Sequence, residues 1–184
     1  MKQKALRAGC GQMQCIFNHG QSDRTGQVPS SCYAGGNSAW NSRTSGAFVQ
    51  PEWYREFVFP NYKKYFAPLK EAEKKIIYTS DGNFSEFIDD IADCGVNGFV
   101  MEPCTDMNYI AEKYGKTHSF IGNADTRILL NGTKEDIYQE VKRCMDIGKK
   151  CPGFIMAVGN HIPPNTPVEN CLYYNDAYEK WRKR

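Results

Sequence analysis

The chain has 184 residues, 41% of them hydrophobic and 24% charged, with a formal net charge of +2. That length suits one ordinary domain with its own core, and the near-neutral charge gives no field for holding nucleic acid. No run of about 18 apolar residues exists, and residues 1–7 lack the apolar segment of a secretory signal, so a cytoplasmic protein without a membrane span is expected.

Residues 1–45 contain one Leu, one Ile and one Val among many Gly, Ser, Gln and Asn. Neither helical nor strand periodicity is visible there, and the stretch reads as a low-structure leader outside the fold. Its charge differs too, at +4 against −2 for the remainder. From residue 46 the texture changes. Pro51 stands where a helix would begin, and Trp53, Tyr54, Phe57, Val58, Tyr62, Tyr65, Phe66 and Leu69 follow at three-to-four-residue spacing, with a bend expected at Pro60. Lys75–Thr79 is a short β-branched strand, and Phe84, Phe87, Ile88 and Ile91 mark a helix ending near Gly95. The alternation continues with a strand over residues 98–101, a helix over 106–114 and a strand over 119–121. Thr133, with Asp136 three residues on, caps a helix carrying Ile137, Val141, Cys144 and Met145. Phe154–Val158 and Val168–Trp181 form the last strand and helix.

Short apolar strands alternating with amphipathic helices predict an α/β fold with a parallel sheet. Four β/α units are about half of what a (β/α)8 barrel needs. A doubly wound sheet fits the same alternation, but no Gly-x-Gly-x-x-Gly follows any strand. In both architectures ligands bind beyond the carboxyl ends of the strands, which makes the following polar turns the candidates. They are Ser80, Asp81, Gly82 and Asn83; then Glu102 and Pro103; then Gly122, Asn123 and Asp125; then Gly159, Asn160 and His161.

Each of these turns has an ordinary explanation in turn or helix-capping chemistry. Their common edge is what points to a cleft, with Asp81, Glu102 and His161 as candidate catalytic groups and Ser80, Asn83, Asn123, Asp125 and Asn160 as candidate binding groups. Asp81 suits a cationic centre or a ring of pyrrole N–H groups. Glu102 suits an acid or base, and His161 suits either proton transfer or capping of the loop through Pro163 and Pro164. His118 precedes a strand at its amino end and His19 lies in the leader, so neither is a good candidate. The eight cysteines, at positions 10, 15, 32, 94, 104, 144, 151 and 171, form no Cys-x-x-Cys pair and read as buried or helix-face thiols.

The runs Ser80-Asp81-Gly82-Asn83, Gly122-Asn123-Ala124-Asp125 and Gly159-Asn160-His161 resemble, in order and spacing, the late-strand motifs of the uroporphyrinogen decarboxylase superfamily. Gln50-Pro51-Glu52 leading into Phe57, Pro60 and Tyr62 looks like that family's Ser-Pro-Glu helix, so the resemblance covers about residue 48 to the end. It implies a partial (β/α)8 barrel made of the C-terminal half of the domain, residues 46–184. It also implies either cofactor-free decarboxylation of a tetrapyrrole or methyl transfer involving corrinoids. The thiol methyltransferases of the superfamily hold zinc through a His-x-Cys and a later Cys; the matching positions look like Thr79, Asp81 and Asn160, so zinc is not expected. The chain most resembles the decarboxylase-like branch linked to corrinoid demethylation. In that branch Asp81, Glu102 and Asn123 would orient a methylated substrate or a corrinoid edge, with a corrinoid protein as partner. The resemblance leaves open a genuine uroporphyrinogen III decarboxylase, and also a catalytically silent half-barrel or tetrapyrrole-binding module, closed in one version by pairing with a second copy.

Overall fold

The computed structural model describes residues 50–183, together with strand backbone at Met13–Ile16 (β1), Ser31–Gly36 (β2), Ser42–Arg43 (β3) and Gly46–Ala47 (β4). A helical segment follows as α1 (Pro51–Trp53), a π-helical turn (Tyr54–Val58) and α2 (Phe59–Glu71). Then come β5 (Lys75–Thr79), a 3-10 turn (Ser85–Phe87), α3 (Ile88–Asp93), β6 (Gly98–Val100), α4 (Met107–Tyr114), β7 (Ser119–Ala124), α5 (Thr126–Asn131), α6 (Lys134–Gly148), β8 (Phe154–Val158) and α7 (Val168–Trp181).

The main sheet has the order β1-β2-β5-β6-β7-β8. From β2 onward every pairing in this sheet is parallel and its strands follow one another in chain order, with β3 and β4 forming a separate antiparallel pair. A doubly wound sheet reverses its strand order at a switch point, and no such reversal occurs among the described strands. The progression is that of consecutive strands in a barrel wall.

Register aligns Tyr78, Phe99, Phe120 and Phe154 in one row across four strands, and Thr79, Val100, Ile121 and Ile155 in the next. Alternation sends the two rows to opposite faces. The aromatic row packs against the helices: Tyr78, Phe99 and Phe120 are buried, and the rings of Phe120 and Phe154 stand 5.2 Å apart. At about 1.5–3 kcal/mol per large apolar side chain, this row and the helix faces above it dominate the stability. By contrast, the Asp89 carboxylate on the outer surface accepts from Tyr109, Tyr114 and Lys113. Being exposed, that cluster contributes under about 1 kcal/mol per ion pair. The β-branched row is less covered, and Ile155 is 53% exposed.

Three elements differ from expectation. At Pro60 the chain widens into the preceding π turn, in which the Phe59 N–H donates to the Tyr54 carbonyl. Pro60 has no N–H, and the Asn61 side chain, bonded to the Phe57 carbonyl at 2.7 Å, supplies a donor to this turn. β7 extends to Ala124, so Gly122 and Asn123 lie within the strand, paired with Met156 and Ala157. Finally, β1 and β2 fall inside the stretch expected to lie outside the fold. Ser-Cys-Tyr-Ala-Gly-Gly shows no apolar alternation, yet β2 pairs parallel with β5 over Ser31 to Gly35. Small residues in a strand between two others leave no periodic signature.

The expected capping of α6 is present as a reciprocal box: the Asp136 N–H donates to Thr133 Oγ1 at 3.2 Å and the Thr133 N–H to Asp136 Oδ2 at 2.8 Å. Cys94 and Cys144 are buried free thiols, pushed up to about 11 by burial. Cys10, Cys15 and Cys32 lie where side chains are not described. Among the described residues, no helix is long and apolar enough to cross a membrane.

Candidate functional site at the carboxyl edge of the sheet

Parallel pairing brings the ends of β5, β6, β7 and β8 to one edge. Glu102, two residues beyond β6, is the junction of the rim. Its Oε2 accepts the Gly82 N–H at 2.8 Å, and its Oε1 accepts from Asn160 Nδ2. One carboxylate thus ties the loop after β5 to the loop after β8, and both bonds are charge-assisted. Two glycines permit this approach. Gly82 adopts φ 75°, which favours glycine, and a Cβ on Gly159 would lie 2.5 Å from Pro103 Cδ.

Behind Glu102 the rim is stitched by two buried polar side chains. Asn123, 1% exposed, donates through Nδ2 to the carbonyls of Glu102 and Thr105, both at 3.2 Å. Its Oδ1 accepts from Arg143 Nη2 at 3.0 Å. Thr105, 2% exposed, donates to the Gly82 carbonyl at 3.1 Å and accepts the Phe84 N–H at 3.3 Å. Glu140, on the buried face of α6, accepts from Arg143 Nε and Nη2 at 2.8 and 2.7 Å and from the Asp125 N–H at 2.8 Å. The Glu140 partnership raises the Arg143 guanidinium further above its ordinary value.

The sequence candidates divide by placement. Asp81 is exposed on the same loop as Gly82, while Ser80 is buried with its hydroxyl donating to the Asp81 carbonyl at 3.2 Å. Asn83 Oδ1 accepts the Ser85 N–H at 2.9 Å, an Asx turn that starts the 3-10 turn. Asn123 is interior, with both amide hydrogens engaged, so contact with a ligand would require one of those bonds to open. Asp125 caps α5 through the Arg127 N–H at 2.8 Å and pairs with the Arg127 guanidinium at 2.6 Å. Arg127 holds the Asp125 carboxyl below the usual carboxylate range. Asn160 and His161 are exposed; the Asn160 Oδ1 stands 2.6 Å from the His161 N–H and 3.0 Å from its Nδ1. Because that oxygen only accepts, Nδ1 of the imidazole is the donor in this contact. His118, at the opposite edge, stacks on Phe99 with its imidazole held below its ordinary value by burial.

Sequence reasoning missed Cys104, Thr105, Glu140 and Arg143. Cys104 Sγ approaches Glu102 Oε2 at 3.9 Å, and burial together with Glu102 pushes the thiol up. Glu140 carried a usable signal: it falls between Ile137 and Cys144 on the apolar stripe of α6, where a lone acidic residue needs a partner. Among the described residues, no three His, Cys, Asp or Glu side chains are grouped to hold a metal ion.

Residues 30–181, starting at the edge of β2, match the family model for uroporphyrinogen decarboxylase (URO-D). The chain belongs to the uroporphyrinogen decarboxylase family. It is 27% identical over 135 residues to the uroporphyrinogen decarboxylase of Syntrophotalea carbinolica, covering 73% of this chain and 39% of that protein. To the enzyme of that name from Carboxydothermus hydrogenoformans it is 30% identical, covering 68% and 35%. It is also 29% identical to a methylcobamide:CoM methyltransferase of Methanosarcina acetivorans, covering 65% and 34%. The chain therefore spans under two fifths of these curated relatives. A solved methyltransferase from Methanosarcina mazei superposes with a TM-score of 0.61 at 22% identity, covering 82% of this chain and 42% of that one. Together with the unreversed strand order, this makes the family fold here part of a (β/α)8 barrel, and the rim just described is its carboxyl-terminal face.

Proposed function

We propose that this uroporphyrinogen decarboxylase-family chain supplies the carboxyl rim of a decarboxylase-like enzyme linked to corrinoid-dependent methyl transfer. The observation that carries the reading is the carboxylate of Glu102, fixed between two N–H donors with exposed Asp81 on the neighbouring loop. The nearby cations are both engaged, Arg127 by Asp125 and Arg143 by Glu140. A rim of this sign repels a polycarboxylate and accepts hydrogen bonds from the uncharged amide groups around a corrinoid. The corrinoid is then a carried substrate delivered by a corrinoid protein. Glu102 and Asp81 hold its edge, and the exposed His161 imidazole is the group that moves a proton. Thr79 and Asn160 are neutral and poor zinc donors, so the reading invokes no zinc.

The second reading is decarboxylation of a tetrapyrrole, favoured by the similarity to two enzymes of that name. Titration of the full chain separates the two. Hydroxocobalamin is expected to show a saturable shift of its visible band, uroporphyrin to bind more weakly, and Asp81→Ala to weaken the corrinoid about tenfold, the loss of one charge-assisted hydrogen bond. Tight uroporphyrin binding without a corrinoid shift would move the assignment to decarboxylation. Binding of neither would leave the silent half-barrel.

A second copy of the chain is the partner proposed to cover the open side of the sheet. Among the described residues β8 pairs on one edge only, Ile155 is 53% exposed, and a groove of about 530 Å³ lined by Met145, Phe154, Ile155 and Met156, with Lys149 and Arg182 also on its wall, runs beside it. Sedimentation is expected to give twice the chain mass, reverting to the single mass in Ile155→Lys, since an unpaired apolar edge is otherwise an aggregation surface. A monodisperse single-chain mass for the unmodified protein would refute the pairing.

A further inference from the structure

We infer that Arg143, on α6 and outside the rim, is a positioning residue that sets where the Glu102 carboxylate stands. Glu140 clamps the guanidinium through two nitrogens, at 2.8 and 2.7 Å, which fixes its plane. From that plane Nη2 reaches both oxygens of Asn123, Oδ1 at 3.0 Å and the backbone carbonyl at 3.4 Å. Occupying Oδ1 fixes the amide so that Nδ2 faces the other way, toward the carbonyls of Glu102 and Thr105. Those two carbonyls bracket the turn closed by the Thr105 N–H on the Glu102 carbonyl at 3.0 Å. Thr105 passes the constraint to the Gly82 carbonyl, and Glu102 closes the loop on the Gly82 N–H. The chain of contacts from α6 to the rim is therefore unbroken, and its middle members are almost wholly excluded from water. Such a path transmits displacement because buried polar groups cannot exchange their partners for solvent. Cys144, with its sulfur 3.3 Å from Arg143 Nη2, lies on the same path and leaves the guanidinium little room to swing.

This rests on the reading of Glu102 as the carboxylate that meets ligand, but its test does not. The Gly82 N–H reports the Glu102 contact directly, and the Phe120 N–H, bonded to the Gly153 carbonyl at 3.1 Å in the sheet core, reports general loosening. Amide hydrogen exchange is measured by NMR on the full chain and on Arg143→Met and Arg143→Lys. The Gly82 amide is expected to exchange about tenfold faster relative to Phe120 in Arg143→Met. About threefold is expected in Arg143→Lys, which keeps the charge but cannot span Glu140 and Asn123 together. If the methionine variant fails to fold, the lysine variant carries the test alone. An unchanged Gly82 rate, or equal acceleration at Gly82 and Phe120, overturns the inference. Hydroxocobalamin titration of the same variants then judges the other reading. Faster Gly82 exchange with unaltered corrinoid affinity keeps Arg143 as the positioning residue and removes Glu102 from ligand contact.

Discussion

Asn123→Leu is expected to destabilise the protein by about 3 kcal/mol, read as a lowered urea midpoint with an unchanged slope. Leucine has the branched skeleton of asparagine with bulkier methyl groups, so no cavity opens; what is lost is polar pairing, with some overpacking added at a buried site. The Thr105 carbonyl loses its donor in a region from which water is excluded, at about 1–3 kcal/mol for a buried group left unsatisfied, while the Glu102 carbonyl keeps only the Thr105 N–H. Arg143 loses an acceptor as well, but it is half-exposed and keeps Glu140, which limits its share. Asn123→Asp separates geometry from charge, since it retains the acceptor for Arg143 but replaces both amide hydrogens with lone pairs facing two carbonyl oxygens. It is expected to cost at least as much as leucine. A midpoint like that of the unmodified protein in both variants would mean that the loops after β5 and β6 are held by something other than Asn123.

What the sequence disclosed about this site follows from periodicity. Parallel strands alternating with helices put the turns after Thr79, Val100, Ala124 and Val158 on one edge, whatever the details of packing, because every such strand enters from the same side. The loops after β5, β6 and β8 therefore meet at Glu102 as their polar composition suggested. Position along the chain does not reveal depth. Asn123 in a Gly-Asn-Ala-Asp run looks like an exposed turn, and only pairing with Ala157 and three side-chain bonds make it an interior strand residue. Arg143 gives no sign in the sequence of its reach to Asn123, because an i,i+3 charge pair on a helix is commonly solvated. α5 escaped notice because six residues are too few for a periodic signal, although Asp125 before it and Gly132 after it are ordinary boundary residues. β2 was illegible for a related reason: a strand of Ser, Cys, Ala and Gly with a single Tyr, lying between two others, is defined by its neighbours' hydrogen bonds and not by its own hydrophobicity.

Glu102→Gln is the substitution expected to cost the most in ligand affinity. The carboxylate offers acceptors on both oxygens, and each already faces a donor: the Gly82 N–H on one side and Asn160 Nδ2 on the other. An amide has one oxygen and one NH2, so either orientation opposes donor to donor at one contact. If the NH2 faces Gly82, a backbone donor that cannot turn is left unpaired. If it faces Asn160, that side chain must flip to present its oxygen, and the His161 N–H, now 2.6 Å from the same oxygen, loses its acceptor. Either outcome loosens the rim on one side and removes the negative charge that recognises N–H groups of a ligand. Hydroxocobalamin affinity is expected to fall about a hundredfold, equivalent to about 2.7 kcal/mol, while the urea midpoint moves by no more than one hydrogen bond's worth, about 1 kcal/mol. The ratio of the two effects is the diagnostic quantity: a group that only braces loops loses stability and affinity together, whereas a group that meets ligand loses affinity far in excess. Equal losses in the two measurements would reduce Glu102 to a brace and leave Asp81 and His161 as the rim's remaining contacts for a ligand.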